Sequence, residues 1–140
     1  MKAAATILVA VMLTGCIPRS YSLRIENQSP DNLRDVTVKY SGQSSMSWDL
    51  ANGQKQTELG FGARIEGPAV VRWSMNSDTA ERVVDLARIP PEFDYRRDGI
   101  VFVIRNDKAV QVLYEIWDRK GAPRVIAGKT SFPSKQDKTF

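Results

Sequence analysis

The chain has 140 residues, with 20 basic and 16 acidic side chains, no histidine and a single cysteine. With 42% hydrophobic and 26% charged residues, its composition is that of one globular domain, with or without a tail, and not of a disordered chain. The absence of histidine excludes Ser-His-Asp triads, Cys-His dyads and histidine-ligated metals. One cysteine excludes an intramolecular disulfide and a cysteine-based zinc cluster.

The first residues have the plan of a secretory signal peptide. A short basic start, Met1-Lys2, precedes an apolar or small-residue run from Ala3 to Met12, which is too short to span a bilayer as a helix. The next four residues, Leu13-Thr14-Gly15-Cys16, resemble the bacterial lipoprotein lipobox, in which an aliphatic residue, a small residue and Gly or Ala precede Cys.

The resemblance implies that Cys16 is lipidated. In such lipoproteins diacylglyceryl is transferred to the cysteine sulfur, the chain is cleaved before the cysteine, and the new amino terminus is acylated, commonly with palmitate. Two or three acyl chains anchor a protein stably in a membrane. In the enterobacterial sorting rule that accompanies the lipobox, Asp after the cysteine retains a lipoprotein at the inner membrane. Ile17 therefore predicts the periplasmic face of the outer membrane, with the inner membrane and the cell surface as alternatives.

Beyond the signal peptide of residues 1–15, the chain divides into a tether, a domain and a basic tail. The lipidated tether is expected at 16–20 and the domain at 21–118. Residues 119–140 carry a net charge of +5, whereas residues 16–118 sum to −2. Because this last segment also contains several glycines and prolines and has no sustained periodicity, it is predicted to be a flexible basic tail.

Within the domain, the pattern predicts a succession of short strands. Apolar and polar residues alternate in the first of them, so that Tyr21, Leu23 and Ile25 share one face. In chain order the strands are expected at 21–25, 36–40, 46–50, 54–61, 69–75, 81–86, 100–104 and 109–116. The polar segment 54–61 is expected at a sheet edge, and 100–104, the most apolar run, at a sheet centre.

Short strands, close turns and many β-branched residues predict an all-β fold. The expected architecture is an antiparallel β-sandwich of immunoglobulin or transthyretin type with seven to eight strands. A small closed barrel is the alternative. No segment has the apolar spacing of an amphipathic helix over three turns. Trp73 lies in a strong strand and is expected in the core.

Carboxylates are the remaining candidates for acid–base chemistry in a chain without histidine. Glu92, Asp94 and Asp98 fall in one predicted loop, together with Arg96 and Arg97. The two arginines favour ionised carboxylates in a solvated loop over catalytic acids with a raised pKa. No spacing of metal ligands and no nucleophile with a matched base is present. The sequence therefore predicts no catalytic residue, no metal and no cofactor.

Two tryptophans and a set of basic residues are the candidate binding residues. Trp48 lies on a polar strand and Trp117 ends the last predicted strand, so both are expected at the surface, where an indole can bind a peptide or a sugar. The basic candidates are Arg96, Arg97, Arg119 and Lys120. The tail lacks the interleaved aromatic residues of nucleic-acid binding, so no nucleic acid is predicted as a partner.

A lipid-tethered β-sandwich without a catalytic constellation is predicted to bind a protein in the periplasm. In architecture it is similar to the small type VI secretion lipoprotein with a transthyretin-like sandwich, which is a structural adaptor. It is also similar to small lipoproteins that act as immunity proteins against periplasmic effectors. The alternative is an envelope glycan- or lipid-binding domain, or an enzyme that uses the loop carboxylates. That alternative requires acids that are buried and paired in a cleft.

Overall fold

The alternation of apolar and polar residues places one face of each strand against a common core. The computed structural model describes residues 21–86, 88–117 and 121–133. These residues form ten strands: β1 Ser22–Asn27, β2 Leu33–Tyr40, β3 Gln43–Ser44, β4 Trp48–Leu50, β5 Lys55–Glu58, β6 Pro68–Met75, β7 Asp78–Asp85, β8 Gly99–Ile104, β9 Val110–Ile116 and β10 Arg124–Ser131.

The strands form two sheets that pack face to face. The first sheet has the order β10-β9-β8-β1-β5, and the second has the order β3-β2-β6-β7 with β4 also paired to β2. Neighbouring strands are antiparallel except β1 and β8, which run parallel from Ser22 opposite Gly99 to Asn27 opposite Ile104. The predicted all-β sandwich is therefore confirmed, and the sheets do not close into a barrel.

The core lies between the two sheets and follows the predicted alternation. Tyr21, Leu23 and Ile25 are fully buried on one face of β1, and Trp73 is only 1% exposed. All residues of β8 are buried, as expected for the central strand of the first sheet. The strand β5 lies at the edge of the same sheet, which confirms the prediction for the polar segment 54–61.

A pair of tyrosine hydroxyls is buried within this core. The Tyr21 hydroxyl donates to the Ala63 carbonyl at 2.5 Å and lies 2.7 Å from the Tyr40 hydroxyl, which therefore donates to Tyr21. Burial, followed by the neighbouring Tyr21, raises the pKa of Tyr40 far above its usual range. Both hydroxyls thus have hydrogen-bond partners inside the fold, and that of Tyr40 stays protonated.

The structure corrects two predictions about the strands. The strand predicted at 46–50 covers only Trp48–Leu50, as β4, and the short strand β3 at Gln43–Ser44 was not predicted. The sandwich also extends beyond residue 118, because β10 pairs with β9 from Arg124 opposite Ile116 to Ser131 opposite Val110. The prediction of a flexible tail from residue 119 is therefore wrong for residues 124–131, where backbone pairing to β9 orders a segment of weak hydrophobic pattern.

Candidate functional site

The structure brings three of the predicted binding residues together and separates a fourth from them. Arg96, Arg97 and Trp117 lie at one end of the first sheet, where the loop between β7 and β8 meets the end of β9. Trp48 belongs to the second sheet, opposite Val36, and is partly buried against the core, so it offers less surface than predicted. The predicted lipidation site and tether, at 16–20, and two of the basic candidates, Arg119 and Lys120, lie outside the described residues.

Asp98 connects the loop between β7 and β8 to the end of β9 through hydrogen bonds. Its carboxylate accepts the N–H of Asp94 at 2.7 Å through Oδ2 and the N–H of Trp117 at 2.8 Å through Oδ1. The Arg97 Nε lies 3.6 Å from the same Oδ1, and the carbonyl of Asp98 accepts the N–H of Ser22. One carboxylate therefore fixes both the loop and the start of the segment that carries the Trp117 indole.

Trp117 is exposed beside an exposed valine on the outer face of the first sheet. Trp117 is 41% exposed and Val125 is 53% exposed. Val125 pairs with Glu115, two residues before Trp117, so the two side chains are diagonal neighbours across β9 and β10. Glu115 identifies this face as the outer one, because its carboxylate is ion-paired with Arg24, on the side of β1 away from the core. We call Trp117, Val125, Arg96 and Arg97 the Trp117 patch.

The three loop carboxylates have different surroundings, which corrects one expectation. Glu92 is exposed and pairs with Arg124 at 3.4 Å. Asp94 is partly exposed, and its pKa is held below the usual value by the N–H of Arg96 and then by the guanidinium of that residue. Asp98, predicted to be solvated, is fully buried. Both of its oxygens accept backbone N–H groups, so the burial is that of a structural carboxylate.

A cleft beside β10 was not predicted from the sequence. It has a volume of about 380 Å³ and is lined by 88–92 on one side and by Tyr114 and 126–128 on the other. At Gly128, a Cβ would lie only 3.0 Å from Cε2 of Tyr114, so glycine allows the ring to lie against the strand. In the sequence, the isolated apolar pair Val125-Ile126 is the only indication of strand β10, and the glycine, proline and charged residues around it favour a loop. We call this site the β10 cleft.

A second, polar cavity lies on the outer face of the second sheet. Its volume is about 540 Å³, and its lining includes Lys39, Arg72, Glu81 and several hydroxyl groups. The Arg72 Nε donates to the Glu81 carboxylate at 3.0 Å across β6 and β7. The cavity is separate from the Trp117 patch, because the patch lies on the other sheet.

The described residues contain no group of three or more acidic, histidine or cysteine side chains placed to hold a metal ion. Within the same part of the chain there is no helix long and apolar enough to cross a membrane. Comparison of the chain with protein-family models, with curated proteins and with solved structures finds no match. A function for the chain therefore depends on the resemblance of Leu13–Cys16 to a lipobox, which stays a prediction, and on the surfaces described above.

Proposed function

We propose that the chain is a lipid-anchored, non-catalytic protein-binding module of the bacterial envelope that faces the periplasm. The Trp117 patch is the observation that carries this proposal. Tryptophan and arginine are the side chains most enriched at the energetic centres of protein interfaces, and here they stand on a loop and strand end fixed by Asp98. A partner therefore meets a surface that is already ordered, which lowers the entropic cost of binding.

Two roles fit a module of this kind. A structural adaptor of an envelope machine holds other components near the membrane, and an immunity protein neutralises a periplasmic effector. The two roles differ in the partner, since an adaptor binds components of its own cell and an immunity protein binds an incoming toxin. A neighbouring gene for a secreted effector favours the immunity role, and a cluster of secretion genes favours the adaptor.

Crosslinking in the living cell tests the protein-binding proposal. The photoreactive residue p-benzoylphenylalanine replaces Trp117 in the full, anchored chain, and the adducts are identified by mass spectrometry. We expect one dominant protein adduct at this position. The matched control is the same replacement at Val83, which is 52% exposed on the other sheet and is expected to give no such adduct. Equal adducts at both positions, or none at either, would contradict the proposal.

The lipid anchor has its own test. We expect Cys16→Ser to abolish acylation, because the serine hydroxyl does not replace the thiol as the acyl acceptor in lipoprotein processing. The variant should then accumulate as unprocessed precursor or as soluble protein. Detergent phase partitioning and the mass of the mature chain measure this result. If Cys16→Ser partitions into the detergent phase like the unaltered chain, the lipobox interpretation is wrong.

The alternative, a glycan-binding domain, is favoured by the polar cavity of the second sheet. Its hydroxyl groups, together with Lys39 and Arg72, offer hydrogen bonds to a sugar and a positive charge to an acidic group. Cosedimentation of the chain with peptidoglycan distinguishes the two proposals. Binding that Lys39→Glu abolishes, in the absence of any Trp117 adduct, would favour the glycan.

A further inference from the structure

The outer edge of β10 has no hydrogen-bonded neighbour among the described strands, although β7 of the second sheet approaches it and Lys129 pairs there with Asp85. β10 is the last strand of the first sheet, and none of the described strands pairs with its outer side. It pairs regularly with β9 over Arg124–Ala127, before a register shift that ends at Thr130. Along these four residues, alternate N–H and C=O groups point away from β9, and such groups are satisfied by water or by another extended chain.

The β10 cleft lies directly beside this edge and is largely apolar. Ile89, Pro90 and Pro91 face Ile126 across it, and Tyr114 also lines it. A strand added to the edge has side chains pointing alternately to the two faces of the sheet. Those on the inner face therefore point toward the cleft, whose volume of about 380 Å³ accommodates a large apolar side chain.

Tyr114 supplies a polar group inside the cleft. The residue is only 3% exposed, and its hydroxyl makes no hydrogen bond with any described residue. Burial raises the pKa of Tyr114 to about 12, so the hydroxyl is a proton donor at neutral pH. Water in the cleft can reach this hydroxyl, since among the described residues only Trp73 Nε1 is fully buried without a hydrogen-bond partner, and a carbonyl oxygen of an occupant would take the place of that water.

Charge indicates what kind of strand fits this edge. β10 carries Arg124 and Lys129 and no acidic residue, so pairing with β10 of a second copy would bring cations together. Arg124 and Lys129 already pair with the carboxylates of Glu92 and Asp85, each at 3.4 Å. Arg88 lines the cleft, is exposed and has no carboxylate within 4 Å among the residues that the structure describes. An acidic side chain on the added strand would therefore complement Arg88.

We propose that β10 binds an extended, acidic segment of a partner protein by strand addition. The segment pairs with the backbone of Arg124–Ala127, inserts an apolar side chain into the β10 cleft beside Tyr114, and places a carboxylate near Arg88. This inference rests on the proposed protein-binding function and specifies its partner. It also explains why the Trp117 patch lies where it does, because the outward side chains of the added strand would lie next to Val125.

A defined peptide tests this proposal. The probe is a fluorescein-labelled synthetic heptapeptide, Val-Glu-Val-Leu-Val-Glu-Val, whose glutamates and central leucine point to the same face of a strand, and its binding to the full chain in detergent micelles is measured by fluorescence anisotropy. We expect saturable binding that weakens by at least about tenfold when glutamate is replaced by lysine, because like charges then meet. We expect a similar loss when alternate peptide amides are N-methylated, since strand addition needs the backbone donors.

Variants of the chain locate the site. Arg88→Glu should weaken binding by about tenfold, whereas Lys55→Glu, the same change of charge on the opposite edge strand β5, should leave it unchanged. Tyr114→Phe should weaken binding severalfold by removing only the hydroxyl. Circular dichroism confirms that each variant is folded.

Three outcomes would overturn the proposal. They are the absence of peptide binding, binding that N-methylation does not affect, and a dimer of the chain that the peptide dissociates. The last would assign the edge to a second copy. If Trp117 gives its protein adduct in the cell while the peptide does not bind, the protein-binding module stands and only strand addition fails. If Trp117 gives no adduct, the proposed function itself fails.

Discussion

A chain that ends at residue 118 is expected to be much less stable than the full chain. Such a truncation removes β10, so that β9 loses the backbone pairing from Arg124 opposite Ile116 to Ser131 opposite Val110. It also removes Ile126, which packs against the core, and it uncovers Tyr114. If roughly 120 Å² of apolar surface is exposed, the loss is about 3 kcal/mol from burial alone. That is a large part of the 5–15 kcal/mol that stabilises a typical domain.

Urea unfolding followed by circular dichroism measures this loss. The truncated chain should unfold at a much lower urea concentration than the full chain, or should fail to accumulate as folded protein. If the truncated chain does not accumulate as folded protein, two single variants of the full chain test the same prediction. Ile126→Ala should destabilise the full chain, because the isoleucine packs against the core, and Val125→Ala should have a smaller effect, because the valine is on the outer face. Equal unfolding midpoints for the truncated and full chains would show that β10 is not a packed element.

The position of β10 at a sheet edge explains why the sequence did not predict it. An edge strand has one face toward solvent, and such strands commonly carry charges and irregularities that discourage further pairing. In β10 these are Arg124, Lys129 and the register shift around Gly128, so that Ile126 is left as the apolar residue that packs against the core. The residue pattern of segment 124–131 is therefore that of a basic loop. The segment is recognised as a strand only from its backbone pairing with β9.

Elements with a buried face were predicted well for the same physical reason. The alternation in β1 and the continuous apolar run in β8 indicate burial directly: every second residue of β1 is buried, and so are all residues of β8. The parallel pairing of these two strands was not predicted, because nothing local in either segment encodes which strand becomes its neighbour. The β10 cleft escaped prediction for a related reason, since its walls come from segments that are far apart in the chain.

Buried polar residues, like strand pairing, are a feature of the fold that the local sequence does not indicate. Asn27 is fully buried, where its Nδ2 donates to the carbonyls of Asp31 and Leu50 and its Oδ1 accepts the N–H of Ser29. Asp98 has the corresponding position at the other end of the sandwich. Asparagine and aspartate in turn sequences are usually solvated, and burial depends on which backbone groups the fold leaves without a partner.

Replacing Asp98 is expected to damage both the fold and the Trp117 patch. Asp98→Ala leaves the N–H groups of Asp94 and Trp117 without their acceptor, and each such loss costs about 1–3 kcal/mol. We therefore expect the free energy of unfolding to fall by about 2–6 kcal/mol. The matched control is Asp94→Ala in the same loop, whose carboxylate is partly exposed, so that water can replace it and the loss should be smaller.

A conservative variant separates the hydrogen bonds of Asp98 from its shape. Asp98→Asn keeps the size of the side chain but retains one acceptor oxygen, and its amide group would face the second N–H as another donor. Its stability should therefore lie between those of Asp98→Ala and the unaltered chain. Because the carboxylate also fixes the segment that carries Trp117, the protein adduct at Trp117 should weaken in every Asp98 variant, including those that remain folded. An unfolding midpoint unchanged by Asp98→Ala would show that water satisfies both N–H groups, and that the loop is held by other contacts.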